Sequence, residues 1–406
     1  MKLKKFFGLF VMALLVFALS GCLGGDNNNN PAPPAPSAPA VVETQSKATE
    51  DEAEPEEPEE PEEPDEDARV IASATEWGVH SLPLTDGSEK SYEDITVLKR
   101  GAPSEKDKAG NHNSTGTNAA VFASKKSKIN ITGDTVISTD AQFAHAVYVG
   151  GEEGGSVNLT DTTVMTLSEN SGGLVVAEGK IEAKDLTVTT SGKASPAVCA
   201  ISKGTVNING GTYMTSGDDS PAAFSSASIN LNDTELTSNS SEALSVEGGT
   251  AALKGTNLIS KKASTIKIQN SKAKLDINNS ILETSKANIF DVASADVEIN
   301  LSQTSLNNTD KAGNFMSVVN SSKVVLNLKD QETEGAILID KDSSINIHFT
   351  GTSGFTGAIK NEGGVVNVVI EKDSTWNLTG DSSVSSLTSK GTIETNGFTL
   401  KVNSKQ

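Results

Sequence analysis

The sequence predicts an all-β, single-domain parallel β-helix carried behind a disordered N-terminal tether. Three observations predict it: apolar pairs that recur at a near-constant interval, an aromatic content of only 4%, and acidic charge concentrated where no core can form. Fixed-interval self-similarity with period-two alternation is the pattern of a solenoid built from short strands. A solenoid core is thin and filled by stacked Val, Ile, Leu and Ala, which accounts for the scarcity of aromatics. A β-sandwich is the alternative, but it gives no reason for a repeat that keeps its strands in one order.

The chain begins with a segment that reads as an address. Lys2, Lys4 and Lys5 precede an apolar run from Phe6 to Ala18, which is short for a membrane span and has the build of a secretory signal. The run ends in Leu19-Ser20-Gly21-Cys22, which resembles the bacterial lipobox. That resemblance implies a signal peptide over 1–21, cleavage before Cys22 and lipid attachment to its sulfur. Two chains, one of them on the new N-terminus, make such anchoring stable. Leu23 stands where an inner-membrane retention signal places Asp, so the expected location is the outer membrane or the outer face of the cell membrane.

Residues 22–68 form the tether. Between 26 and 68 there are 15 acidic groups and one Lys, with Pro-Glu-Glu units around Pro55, Pro58, Pro61 and Pro64. Prolines favour polyproline II and the carboxylates repel, so the segment is expected to be extended, with a reach on the order of 100 Å. The formal charge is −20 for the whole chain, and most of it belongs to this segment. No basic patch exists to neutralise phosphates, which excludes a nucleic-acid partner. Two cysteines, Cys22 and Cys199, cannot build a disulfide scaffold.

Residues 69–406 are the β-helix, with 69–116 as a cap or first coil and 374–406 as the last coil. The apolar pairs are Ile129/Ile131, Val157/Leu159, Ile181/Ala183, Val206/Ile208, Ile229/Leu231, Ala251/Leu253, Leu275/Ile277, Ile299/Leu301, Leu326/Leu328, Ile345/Ile347 and Val366/Val368. Each is followed by a second strand-like piece, as in Thr135-Val136-Ile137, and a third piece precedes the next pair, as in Leu174-Val175-Val176. Asn stands between the paired residues in eight of the eleven, and Glu182, Ala252 and Asp276 fill the others. Period two turns these side chains outward, where amides in register form a ladder along the rod.

Several stretches carry a resemblance. Gly116-Thr117-Asn118-Ala119-Ala120-Val121, Leu186-Thr187-Val188-Thr189-Thr190-Ser191-Gly192, Gly210-Gly211-Thr212-Tyr213-Met214-Thr215-Ser216-Gly217, Ser220-Pro221-Ala222-Ala223 and Ser374-Thr375-Trp376-Asn377-Leu378 are of this kind. They resemble the adhesin-like, pectin-lyase-like repeat proteins of bacterial and archaeal surfaces. The resemblance implies a right-handed parallel β-helix at the cell surface and brings no agreed ligand. The last coil also resembles that of autotransporter passenger domains. No membrane barrel follows it here, so the lipid at Cys22 is expected to supply the anchorage.

Catalytic chemistry is sparse. Lyases of this fold use a catalytic arginine, but Arg69 and Arg100 both precede the repeats. Hydrolases need paired carboxylates, and the sole Asp-Asp, Asp218-Asp219, falls in an expected turn. His80, His112, His145 and His348 lack ligand spacing, so no metal and no cofactor are expected. His145 is read as a corner or surface residue and Cys199 as a small buried hydrophobe. Trp376, and Trp77 opposite, are read as covers for the open ends of the core. Glu235, Asn257 and Glu283 interrupt the recurring threonines, so no regular flat threonine array is expected. The polar segments 101–116 and 150–156, where coils lengthen, are the candidate binding loops. The expected function is a lipid-anchored adhesion or display module with a host, matrix or glycan ligand and no catalysis. A polysaccharide lyase or hydrolase and a passive envelope component are the alternatives, and the oligomeric state is left open.

Overall fold

The chain divides into residues 1–67 and 68–406. The structure, a computed structural model, describes residues 81–100, 116, 118–310 and 313–403, all in the second unit. Cys22, the tether, Arg69, Trp77, His80 and the segment 101–115 lie outside the described residues. Every described regular element is a strand and every pairing is parallel, giving a right-handed parallel β-helix with three strands per coil. The core runs without interruption from Leu82 to Val384, so this unit carries its own core.

Each coil contributes one strand to each of three stacked sheets. The predicted pairs lie in the first sheet with both members inward: Ile129, Ile131, Val157, Leu159, Ile229 and Leu231 are all essentially inaccessible. Successive coils align them, with Ile129 on Val157, Ile181 on Val206 and Leu275 on Ile299. The two extra strand-like pieces are also present, as in Val136–Asp140 and Val147–Val149. One further strand precedes the eleven, Glu89–Glu93, and one follows, Ser386–Ser389. Lys90-Ser91-Tyr92 is not an apolar pair, which is why the first of these is silent in the repeat pattern. At ~4.8 Å per strand step the stack is about 60 Å long.

One predicted register is corrected. Ile345 and Ile347 do not align with Leu326 and Leu328; Ile345 aligns with Val324, Ile347 with Leu326 and Phe349 with Leu328. Both registers place apolar residues inward, because a shift of two keeps the face. The observed one also seats the larger Phe349 against the core, where it adjoins Phe355 at 6.1 Å between ring centroids. Trp376 is corrected too. It is fully buried inside the stack, 6.0 Å from Phe355, and donates its indole N–H to Gly357 O at 3.1 Å. The strand Thr392–Glu394 covers it, so the tryptophan is an interior residue of the penultimate coil.

The corners solve a problem that the sheets do not. Where the chain turns, backbone N–H groups point inward, and each needs a partner because an unpaired buried donor costs about 1–3 kcal/mol. A column of buried side chains supplies them from the neighbouring coil. Thr256 N donates to Ser280 Oγ at 3.1 Å, Ser280 N to Thr304 Oγ1 at 3.4 Å, Thr304 N to Gln331 Oε1 at 2.7 Å and Gln331 N to Ser353 Oγ at 3.2 Å. A second corner uses serine in the same way: Ser171 N donates to Ser195 Oγ and Ser195 N to Ser220 Oγ, both at 3.0 Å.

Gln331 stands where the second sheet divides, since Glu332–Glu334 pairs with the coil after it and not with Ser305–Asn308 before it. Its amide also donates to Thr304 O at 2.7 Å, so the side chain replaces one peptide unit of the missing ladder. Gln331→Ala is therefore expected to cost on the order of 2–4 kcal/mol, measured by chemical denaturation. Gln331→Ser, which cannot span the gap, should be nearly as destabilising.

The first corner also needs one residue per coil in the left-handed region. Asp185 (φ 53°) and Gly210 (φ 76°) are stacked examples. A Cβ on Gly210 would lie 2.0 Å from Asp185 Oδ1, so the carboxylate occupies the space that the glycine leaves. Gly210→Ala is expected to destabilise by more than the ~1–2 kcal/mol that left-handed alanine costs. Adding Asp185→Ala should recover the excess, and a double-mutant cycle on unfolding free energies would detect the coupling.

Candidate interaction surface

Three outward faces follow from this geometry. On the first, the interleaved asparagines form runs. Asn158 Nδ2 donates to Asn130 Oδ1 at 2.7 Å and Asn130 Nδ2 to Glu89 Oε1 at 2.8 Å. Asn230 donates to Asn207 at 2.7 Å, which donates to Glu182 at 3.1 Å; Asn327 donates to Asn300 at 2.7 Å, which donates to Asp276 at 2.6 Å. In each of these three runs a carboxylate ends the donor chain. The last run, Asn367 on Asn346 at 2.8 Å, lies two residues to one side because of the register difference described above. The amide–amide bonds consume polar atoms that a ligand would otherwise use, so this face is chiefly structural.

The second face differs in kind. Three consecutive coils present Thr163, Met165 and Leu167, then Thr187, Thr189 and Ser191, then Thr212, Met214 and Ser216. The strand register and the backbone bonds that continue it align them in three columns. Their inward neighbours Val164, Val188 and Tyr213 are fully buried, which fixes the outward direction of the nine. None of the nine carries a charge. Met165 and Met214 are each 37% exposed and Leu167 is 49% exposed. The next coils bring Glu235, Asn257 and Glu283 onto this face, as the sequence predicts, and the coil before ends in Asp140.

On the third face Phe122, Tyr148, Val175 and Cys199 form an apolar column outside the main core, and all four are buried. Phe122 and Tyr148 stack at 6.0 Å and His145 stacks on Tyr148 at 5.7 Å. Burial pushes the Cys199 thiol up to about 12, so it is an inert apolar group, as read from the sequence, although it faces away from the main core. Tyr148 is likewise raised to about 12 by burial, with a smaller contribution from Cys199.

The remaining candidates do not converge. Asp218 and Asp219 occupy the expected turn, and Asp219 pairs with Lys193 at 3.5 Å. Among the described residues no group of three His, Cys, Asp or Glu side chains is placed to share a metal ion. Segment 150–156 is not a projecting loop: Lys125 N and Lys126 N bond to Glu152 O and Gly154 O at 2.8 and 2.7 Å, and Gly155 already begins a strand. Two shallow depressions mix charges, one lined by Lys272, Lys274, Asp296 and Glu298, the other by Lys360, Glu362, Asp381 and Lys401. The exposed residues of the second face were missed in the sequence, although the alternation Thr163-Val164-Met165-Thr166 already places Met165 opposite a core valine.

His145 is a corner residue, as expected, but part-buried and bonded. Gly172 N donates to its Nδ1 at 3.0 Å, which requires that nitrogen to be unprotonated. Desolvation by burial lowers its pKa to about 4. The unfolded chain protonates first as pH falls, so stability is complete above the free value near 6.5 and is lost between there and about 4. Wild type should lose on the order of 2 kcal/mol more than His145→Asn between pH 7 and 4.5, read from urea midpoints.

No protein-family profile, curated protein or solved structure matches the chain. The class is therefore defined by the fold alone: a parallel β-solenoid with flat outward faces.

Proposed function

We propose that the protein is a lipid-anchored, surface-displayed binding module of the adhesin-like kind, without catalysis. The observation that carries this reading is the uncharged, partly apolar grid on the second face, set in an otherwise charged surface. Three exposed apolar side chains, Met165, Met214 and Leu167, lie there among unpartnered hydroxyls on one flat face. Signal, lipobox and tether supply the delivery: Cys22 accepts the lipid, and the Pro-Glu segment lifts the solenoid away from the membrane. Continuous faces suit attachment to extended ligands, whereas catalysis needs groups that converge on one atom.

Two measurements test the reading. Fluorescently labelled residues 69–406 should bind host cells or extracellular matrix; absence of binding across a broad panel would leave the passive envelope role in its place. In the producing cell, Cys22→Ala should abolish incorporation of labelled palmitate and release the protein from membranes. Normal palmitate incorporation in that variant would refute the anchor.

A further inference from the structure

The nine-residue grid allows the partner to be specified. Its three rungs at ~4.8 Å and its outward positions about 6.6 Å apart along each strand define a patch of roughly 250–300 Å². A stable protein–protein interface needs about 800 Å² from each partner, so neither a second copy nor a globular protein is held by this patch alone. An extended polymer lying across the strands needs no more than this width.

Chemistry narrows the polymer. The side-chain hydroxyls of Thr163, Thr187, Thr189 and Thr212 make no hydrogen bond to another described residue, so each is available as donor and acceptor. Met165, Met214 and Leu167 supply flat apolar contact between them. Alternating hydroxyls and apolar groups match a sugar chain, whose rings present C–H faces and equatorial hydroxyls. The pyranose repeat is close to the strand step, so successive sugars lie over successive coils. The rim carries Asp140, Glu169, Asp218 and Glu235 beside one cation, Lys193, which pairs with Asp219 at 3.5 Å, so its net negative charge disfavours uronic acids and sulfates.

Phe143 is a second, independent observation. It occupies the left-handed region at φ 61°, at a corner position that stacked Asn170, Ala194 and Asp219 fill in the next coils. The corner imposes that conformation, which bulky side chains rarely accept and which asparagine, found there one coil on, accepts more readily. Phe143 stands at the corner toward which the grid runs and is only part-buried, so its ring can add a stacking face for a sugar.

We propose that the grid and Phe143 form a docking track for a neutral glycan chain. The proposal rests on the binding-module reading and names its ligand class. Calorimetric titration of residues 68–406 with cello-, manno-, xylo- and chitohexaose, and with hexagalacturonate as acidic control, tests it. At least one neutral hexasaccharide should bind with a Kd of about 0.1–1 mM, as expected for a shallow open site. Met214→Glu and Thr189→Glu should each weaken binding about tenfold or more with the thermal midpoint unchanged, and Asn230→Ala on the first face should not. Phe143→Asn should raise the thermal midpoint while weakening binding, a combination that a purely structural role does not produce.

Failure of every neutral hexasaccharide at ~10 mM, preference for hexagalacturonate, or binding indifferent to both charge insertions would overturn the proposal. Cell binding that persists alongside any of these results would leave the binding-module reading standing and sink only the ligand class.

Discussion

In-register parallel stacking is the constraint on which everything else in this solenoid depends. Each residue lies ~4.8 Å from its counterpart in the next coil, so a side chain is chosen against copies of its own position. Inward columns must be apolar and of compatible volume, which gives the Val, Ile and Leu stacks of the three sheets. Outward columns must tolerate their own kind at van der Waals distance. Amides do so by donating to one another, whereas a column of like charges would repel, and the carboxylates that enter the first face accept bonds from asparagine.

The corners show the same constraint acting on the backbone. At several turns the inward N–H groups bond to a hydroxyl of the next coil, which makes a column of hydroxyls beside the core, while Ser241 N and Ala263 N find Ser238 Oγ and Ser260 Oγ within their own coil. Where the second sheet divides, a hydroxyl is too short, and Gln331 spans the gap with both atoms of its amide. The left-handed positions obey a related rule. Asp185 reaches across Gly210 into the space a Cβ would need, although Asp161 stacked on Asp185 shows that two side chains can also follow one another at this corner.

How much of this was legible in the sequence follows from the same reasoning. The apolar pairs and the asparagine between them declare themselves, because period two and a fixed interval act on the same residues. The slip at Ile345 was hidden, since a two-residue shift preserves the inward face and only the volume of Phe349 distinguishes the registers. Ser220 in Ser220-Pro221 and Ser280 in Asn279-Ser280 look like ordinary turn residues. Their buried role depends on a partner some 24 residues away, and composition does not show it. Trp376 read as an end cover because the coil after it, with Thr392-Ile393-Glu394, has too little apolar character to announce itself as another layer.

Function is then best sought where the stacking rule is obeyed without any structural return. The asparagine runs, the hydroxyls that accept from corner N–H groups and the Asp–Gly pairs each give such a return, so they are accounted for by the fold. The uncharged grid is different: its threonines are in register yet bond to nothing described, and its methionines stay exposed beside them. Phe143 goes further, since the corner would be more stable with the asparagine found one coil on. Nothing in the packing of the neighbouring coils calls for exposed apolar groups or a left-handed aromatic there. Their presence together on neighbouring coils is better explained by something outside the chain that they meet.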